Sequence, residues 1–141
     1  MAGDSAVLLP DGTAAAPAAA PPQVQQAIWA ANTIQGRPYR YGGGHASFLD
    51  QGYDCSGTVS FALNAAGLLK RARDSSGFMR YGASRPGRWI TIYANPGHAY
   101  MVIAGLRLDT SSAGSGGGKG PRWRATGRPK AGYTVRHPLR F

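Results

Sequence analysis

The run Ala99-Tyr-Met-Val-Ile-Ala104 is apolar on both faces, which makes it a strand from the interior of a sheet rather than its edge. Gly105 follows and permits a tight turn into Leu106 to Thr110. His98 heads the first of these strands, directly after the turn signal Asn95-Pro96-Gly97. Upstream, Gly87 to Tyr93 contains Arg-Trp-Ile-Thr-Ile-Tyr and reads as another strand, and a last strand is expected near Tyr133 to Arg136. The C-terminal half is therefore a sheet of sequential strands.

The N-terminal half has a different period. Val24, Ala27, Ile28, Ala31 and Ile34 fall on one helical face, predicting a helix over 23–35 that Gly36 and Pro38 end. A second helix is predicted from Asp54 or Cys55 to about Ala66, with Val59, Leu63 and Ala66 as its stripe. Asp54 and Ser56 are candidate N-caps and Gly67 a C-cap. A short helix is expected within Ser75 to Tyr81. Between the two long helices lies the glycine-rich bend Tyr39-Arg-Tyr-Gly-Gly-Gly-His45, with loop onward to Tyr53. Helices followed by strands give an α+β class. Residues 13–22 are nearly all Ala and Pro with no apolar face, so 1–22 reads as a linker or disordered segment and 23–141 as the single folded domain. Residues 111–120, rich in Gly and Ser, read as a flexible loop.

Charge narrows the partners. Sixteen Lys and Arg against six acids give +10, and all six acids are Asp, so any general acid or base is Asp, His, Tyr, Lys or Cys. After Asp109 there is no acid but seven bases, from Lys119 to Arg140, which favours anionic partners. Pro121-Arg122-Trp123-Arg124 has the composition of a glycan or nucleic-acid contact. The reading favoured is a solvated basic rim with Trp123 in the core, and nucleic acid is not the expected partner. There is no run of 18 apolar residues to span a membrane, and no basic region followed by an apolar core to act as a signal peptide. Met1 followed by an Ala/Pro stretch looks like a domain cut from a longer chain. One cysteine and three scattered histidines lack zinc spacing, and Gly42-Gly43-Gly44 lacks the Lys-Ser/Thr of a phosphate loop, so no metal or cofactor is expected. The expected state is a monomer.

Cys55 is the only cysteine, which excludes an intrachain disulfide and fits a reducing compartment or an exported enzyme with a free thiol equally. It falls in the first turn of the predicted second helix. Free backbone N–H groups and the helix dipole favour a thiolate there, and the same groups can stabilise an oxyanion. The competing reading is a small buried hydrophobe. A nucleophile needs a base. His98 is held by a strand; His45 lies in a glycine-rich loop, a poor place for fixed geometry; His137 lies beside Pro138 near the end of the chain. If the strands around Ala104–Gly105 pair with residue numbers summing to 209, Asp109 is a diagonal neighbour of His98 on one face and can orient the ring. An even sum would put the two on opposite faces, and Asp109 could instead cap the turn after its strand.

The run Gly36-Arg-Pro-Tyr39-Arg-Tyr41-Gly-Gly43, then Gly52-Tyr-Asp54-Cys55-Ser56-Gly57, with a histidine about 40 residues on at the head of a strand, resembles the NlpC/P60 family over roughly residues 24 to 112. The resemblance implies a papain-like fold, with N-terminal helices packed on a central antiparallel sheet. It implies a cysteine peptidase of peptidoglycan stem peptides, cutting in many members between γ-D-glutamate and a diamino acid, and located outside the cell or at its wall. By the same resemblance Cys55 is the nucleophile, His98 the base, and Tyr39, Tyr41, Asp54 and Ser56 line the substrate site. Asp54 and Ser56 match positions that in several members bind a peptide amine, although both also suit helix capping. Asp109 stands where the family more often has His, Asn or Gln, and the text after Trp89 departs from the usual family pattern. A polyanionic wall would suit the basic C-terminal stretch. Beside a peptidoglycan hydrolase, in housekeeping or as a toxin, the residues admit a thiol acyltransferase on the same fold or a non-catalytic module gripping a cell-wall polymer or other polyanion.

Overall fold

The computed structural model describes residues 4–111, 120–125, 127–128 and 130–141. The chain runs β1 (Val7–Leu8), β2 (Ala14–Ala15), α1 (Pro22–Thr33), α2 (Cys55–Ala65), α3 (Ser75–Phe78), β3 (Ala83–Ser84), β4 (Ile90–Asn95), β5 (His98–Ile103), β6 (Leu106–Asp109), β7 (Arg122–Arg124) and β8 (Thr134–His137). Strands β3 to β8 form one antiparallel sheet in the order β3-β8-β4-β5-β6-β7, and β1 pairs with β2 apart from it. This is the expected α+β architecture, with β5 central.

The sheet has two chemically different faces. Ile92 pairs with Met101, Met101 with Leu108 and Leu108 with Trp123, a row of side chains on the face that the helices cover. Val24, Ala27 and Ile28 of α1 and Val59, Ala62 and Leu63 of α2 are fully buried with that row. The opposite row runs Thr91, Val102, Arg107, Arg124, and beside it Tyr93 pairs with Tyr100. Alternation along each strand separates an apolar face from a basic, aromatic one.

The helices stop and start near the expected residues. Asp54 caps α2 in an extended conformation, its side chain accepting from Gly57 N–H. Gly67, at φ +76°, ends the helix with Leu68 N–H bonded back to Leu63 O. Strand β4 starts three residues later than its composition suggests, because Trp89 and Ile90 N–H both donate to Phe141 O rather than to a strand.

The reading of 1–22 as linker does not hold for its described part. Ala14 and Ala20 are buried in the core, and Asn32 of α1 grips Ala14 with its side-chain amide, Oδ1 accepting from Ala14 N–H and Nδ2 donating to Ala14 O. Small alanines fill the groove beside α1 without any periodic pattern. Pro22 belongs to the first turn of that helix, where proline costs nothing because its N–H would be unpaired. Most of the loop expected over 111–120 lies outside the described residues. Strand β7 was not predicted as a strand, but Trp123 in it is buried as favoured, with Nε1 donating to Asn32 Oδ1 at 2.8 Å.

Candidate active site

The site forms where the glycine-rich bend meets the tip of α2. Gly43 O accepts from Asp54 N–H, and Gly42 N–H donates to Asp54 Oδ2. The bend and the helix touch backbone to backbone: a Cβ on Gly57 would run into Gly43 O. Only glycine permits that approach, which explains the pattern of glycines around Cys55. Tyr39 joins the bend to Tyr53 through an isolated parallel bridge.

Cys55 is half-buried at the first position of α2. Asp54 takes the Gly57 N–H through Oδ1 at 2.6 Å, and its backbone O accepts from Thr58 N–H, so the Cys55 N–H is left at the helix tip. Beside the sulfur opens a cavity of about 370 Å³ lined by Tyr39, Tyr41, His45, Ser56, Ser75 and Gly97 among others. Tyr41 stands at its rim, almost wholly exposed. Burial raises the Tyr39 phenol pKa, and the charges of Cys55 and Asp54 raise it further, so its O–H stays a donor at neutral pH. A larger cleft of about 720 Å³ near Arg37, Leu49 and Phe61 contains neither the thiol nor an imidazole.

His98 meets Cys55 and Asp109 together. Its Nε2 lies 2.8 Å from Asp109 Oδ1. Cys55 also acts on the ring, and its influence raises the imidazole pKa. With Nε2 turned to the carboxylate, Nδ1 is the nitrogen left for the thiol. Burial works against the charged ring, but the hydrogen bond to Asp109 and the influence of Asp109 and Cys55 outweigh it and raise the pKa to about 9. The imidazolium is therefore the form at neutral pH.

Strand register accounts for the geometry. The pairs Met101–Leu108, Val102–Arg107 and Ile103–Leu106 each sum to 209, the value that sets His98 and Asp109 on one face. The Asp109 side chain is fully buried and, besides the imidazole, is held by three donors: Ser111 N–H reaches Oδ1 at 3.1 Å, and Arg107 Nη1 and Arg128 Nη1 reach Oδ2 at 2.6 and 2.8 Å. Arg124 Nε donates to the Asp109 backbone O at 3.3 Å. Burial alone would raise its pKa, but His98, Ser111 and Arg128 lower it overall. Turn capping and contact with the imidazole, the two roles open in the sequence, are both present in the geometry.

Three neighbours were not foreseen. Arg107 shares a face with Asp109 two residues away on the same strand, as the alternation of a strand requires. Arg128 comes from a stretch with no periodic signal. His45, set aside as a loop histidine, is half-buried, with Nε2 2.9 Å from Asp54 Oδ1 and 3.0 Å from Ser56 Oγ. It is fixed because the bend is fixed by backbone contact to α2. Ser56 does not cap the helix; its Oγ faces His45 and Asp54. The third histidine, His137, bonds Arg85 O from β8, away from this cluster. Among the described residues no group of three or more His, Cys, Asp or Glu is arranged to hold a metal ion.

No protein-family model and no curated protein matches the sequence. Among solved structures, the chain is similar to an NlpC/P60 family protein from Bacillus cereus ATCC 10987, with a TM-score of 0.63 and 20% identity. The match covers 95% of this chain and 50% of that one. The fold is that of an NlpC/P60 protein. The chain thus spans half the length of this neighbour, and at that identity the likeness concerns the NlpC/P60 fold alone.

Proposed function

We propose that this chain is a cysteine peptidase that hydrolyses amide bonds in peptidoglycan stem peptides, with Cys55 as nucleophile, His98 as its proton-transfer partner and Asp109 orienting the ring. The observation that carries the reading is the His98 imidazole, held through Nε2 by Asp109 at 2.8 Å and electrostatically coupled to Cys55. The thiol at the tip of α2 stands beside the imidazole, the arrangement of a nucleophile with its proton-transfer partner. The sulfur attacks the amide carbonyl, and the Cys55 N–H is placed to bond the resulting oxyanion. His98 gives its proton to the departing amine, leaving a thioester. Water then enters, loses a proton to the neutral ring and releases the acid.

The cavity beside Cys55 supports a small polar peptide as substrate. Asp54 is already engaged at both oxygens, by Gly57, His45 and Ser56 at Oδ1 and by Gly42 at Oδ2. In this reading a peptide amine is received by the Asp54, Ser56 and His45 group as a unit, with Tyr39 and Tyr41 on the rim. The net charge of +10 favours a wall rich in anionic polymers as the place of action.

The test is a digest of purified muropeptides followed by mass spectrometry. Wild type should release new amines and leave the glycan intact, and Cys55→Ala should release none. Equal inertness of both proteins across varied muropeptides would end the proposal. Products in which the acyl group has passed to an added amine rather than to water would instead identify an acyltransferase on the same residues.

A further inference from the structure

The sheet face turned away from the helices carries a second cavity, of about 230 Å³. Arg107, Arg124, Arg128 and Lys130 line it together with Tyr93 and Tyr100, and no acidic side chain does among the described residues. We propose that this cavity is a binding site for a phosphate ester, distinct from the cavity at Cys55.

Four observations carry the assignment. Arg124 Nη2 is buried without a hydrogen-bond partner among the described residues, an arrangement that costs free energy until an acceptor arrives. The pairing of Arg107 with Arg124 across β6 and β7 sets two guanidinium groups side by side, where like charges repel. The nearest carboxylate, Asp109, lies outside the lining and is already shared by Arg107 and Arg128. The floor is rigid: Tyr93 and Tyr100 stack at 4.9 Å, Arg128 lies over the Tyr100 ring and Lys130 over the Tyr93 ring.

The chemistry of these groups selects the ligand class. Guanidinium forks match phosphate oxygens, and a doubly charged group offsets several cations better than one carboxylate does. The volume exceeds that of a phosphate alone and leaves room for a small attached alcohol. Arg128 joins this cavity to the dyad, since its Nη1 bonds Asp109 Oδ2 and lies 3.4 Å from His98 Nε2. A bound phosphate therefore sits one side chain away from the catalytic imidazole.

Glycerol 3-phosphate, inorganic phosphate and a poly(glycerol phosphate) fragment are titrated separately into the isotope-labelled chain, with NMR reporting on arginine Nε–H and lysine Nζ signals. Saturable shifts centred on Arg124 and Lys130 are expected, with affinity at least about tenfold weaker in Arg124→Gln and in Lys130→Gln. Lys130 is exposed, so its variant tests the site without disturbing the core. Preference for the free ester or for the polymer identifies the source of the phosphate. Non-saturating shifts spread over all basic residues, or unchanged affinity in both variants, would overturn the site. Neither outcome depends on whether Cys55 is catalytic.

Discussion

His98 and Asp109, eleven residues apart, are diagonal neighbours on β5 and β6, with Nε2 and Oδ1 2.8 Å apart. The same carboxylate anchors Arg107 and Arg128 through its other oxygen. Asp109→Asn keeps the shape but removes the charge. Amide hydrolysis should fall by a factor on the order of 10⁴, the size of such a change in a comparable triad. Two guanidinium groups lose their counterion, so stability should fall by about 3–5 kcal/mol. NMR titration separates the two effects: the His98 pKa should drop in the variant, which general loosening of the fold would not produce.

The His98 pKa of about 9, against an ordinary 6.5, gives a pH dependence with a definite sign. A histidine with a raised folded-state pKa contributes stability that is fully present below about pH 6.5 and lost as the pH rises through about 9. Urea unfolding midpoints should decline across that window. The rate of hydrolysis should fall on the alkaline side near pH 9, as the proton needed by the leaving amine is lost. In Cys55→Ala the His98 pKa should be lower, because the influence of Cys55 that raises it is gone.

Asn32 bonds Ala14 N–H, Ala14 O and Trp123 Nε1. Asn32→Ala strands all three groups in a largely buried place. The expected cost is about 2–4 kcal/mol, measured by denaturant unfolding. Hydrogen exchange should show the segment around Ala14 losing protection first.

Gly57→Ala places a methyl against Gly43 O. The bend must move away from the helix tip, costing about 1–3 kcal/mol. Activity should fall more than stability predicts, because the walls of the Cys55 cavity shift with the bend. Gly67→Ala, a strained substitution at a positive φ with open space around it, is the control that lowers stability while leaving the site alone.

His45→Ala removes the ring that spans Asp54 and Ser56. KM for peptides with a free amino terminus should rise several-fold, with a smaller change in kcat. Amine-blocked peptides should be little affected, which a loss of folding would not reproduce.

Much of this arrangement was legible in the residues. Periodicity located α1 and α2, and glycine with proline marked their ends. A pairing sum of 209 around Ala104–Gly105, one of the two parities the residues left open, is the one that sets Asp109 beside His98. What escaped has a common cause. The alanines at 14 and 20 are buried by shape alone, with no alternation to reveal them. Arg128 reaches Asp109 from a segment whose course no local rule dictates. His45 lies in a loop made rigid by two glycine backbones in contact, and rigidity of that origin does not show in composition. The basic face was visible as charge, but its grouping into one cavity needed the cross-strand pairing of Arg107 with Arg124.

The turn between β5 and β6 holds Ala104 at φ +49° and Gly105 at φ +86°, a two-residue loop whose length fixes the pairing. Both positions favour residues that tolerate a positive φ, and their number is constrained as well. Inserting or deleting a single residue there would invert the parity of β6 and send Asp109 to the apolar side, whereas a two-residue indel would conserve parity while sliding the carboxylate along the strand. A substitution in this hairpin strains a turn, whereas a shift of frame dismantles the site.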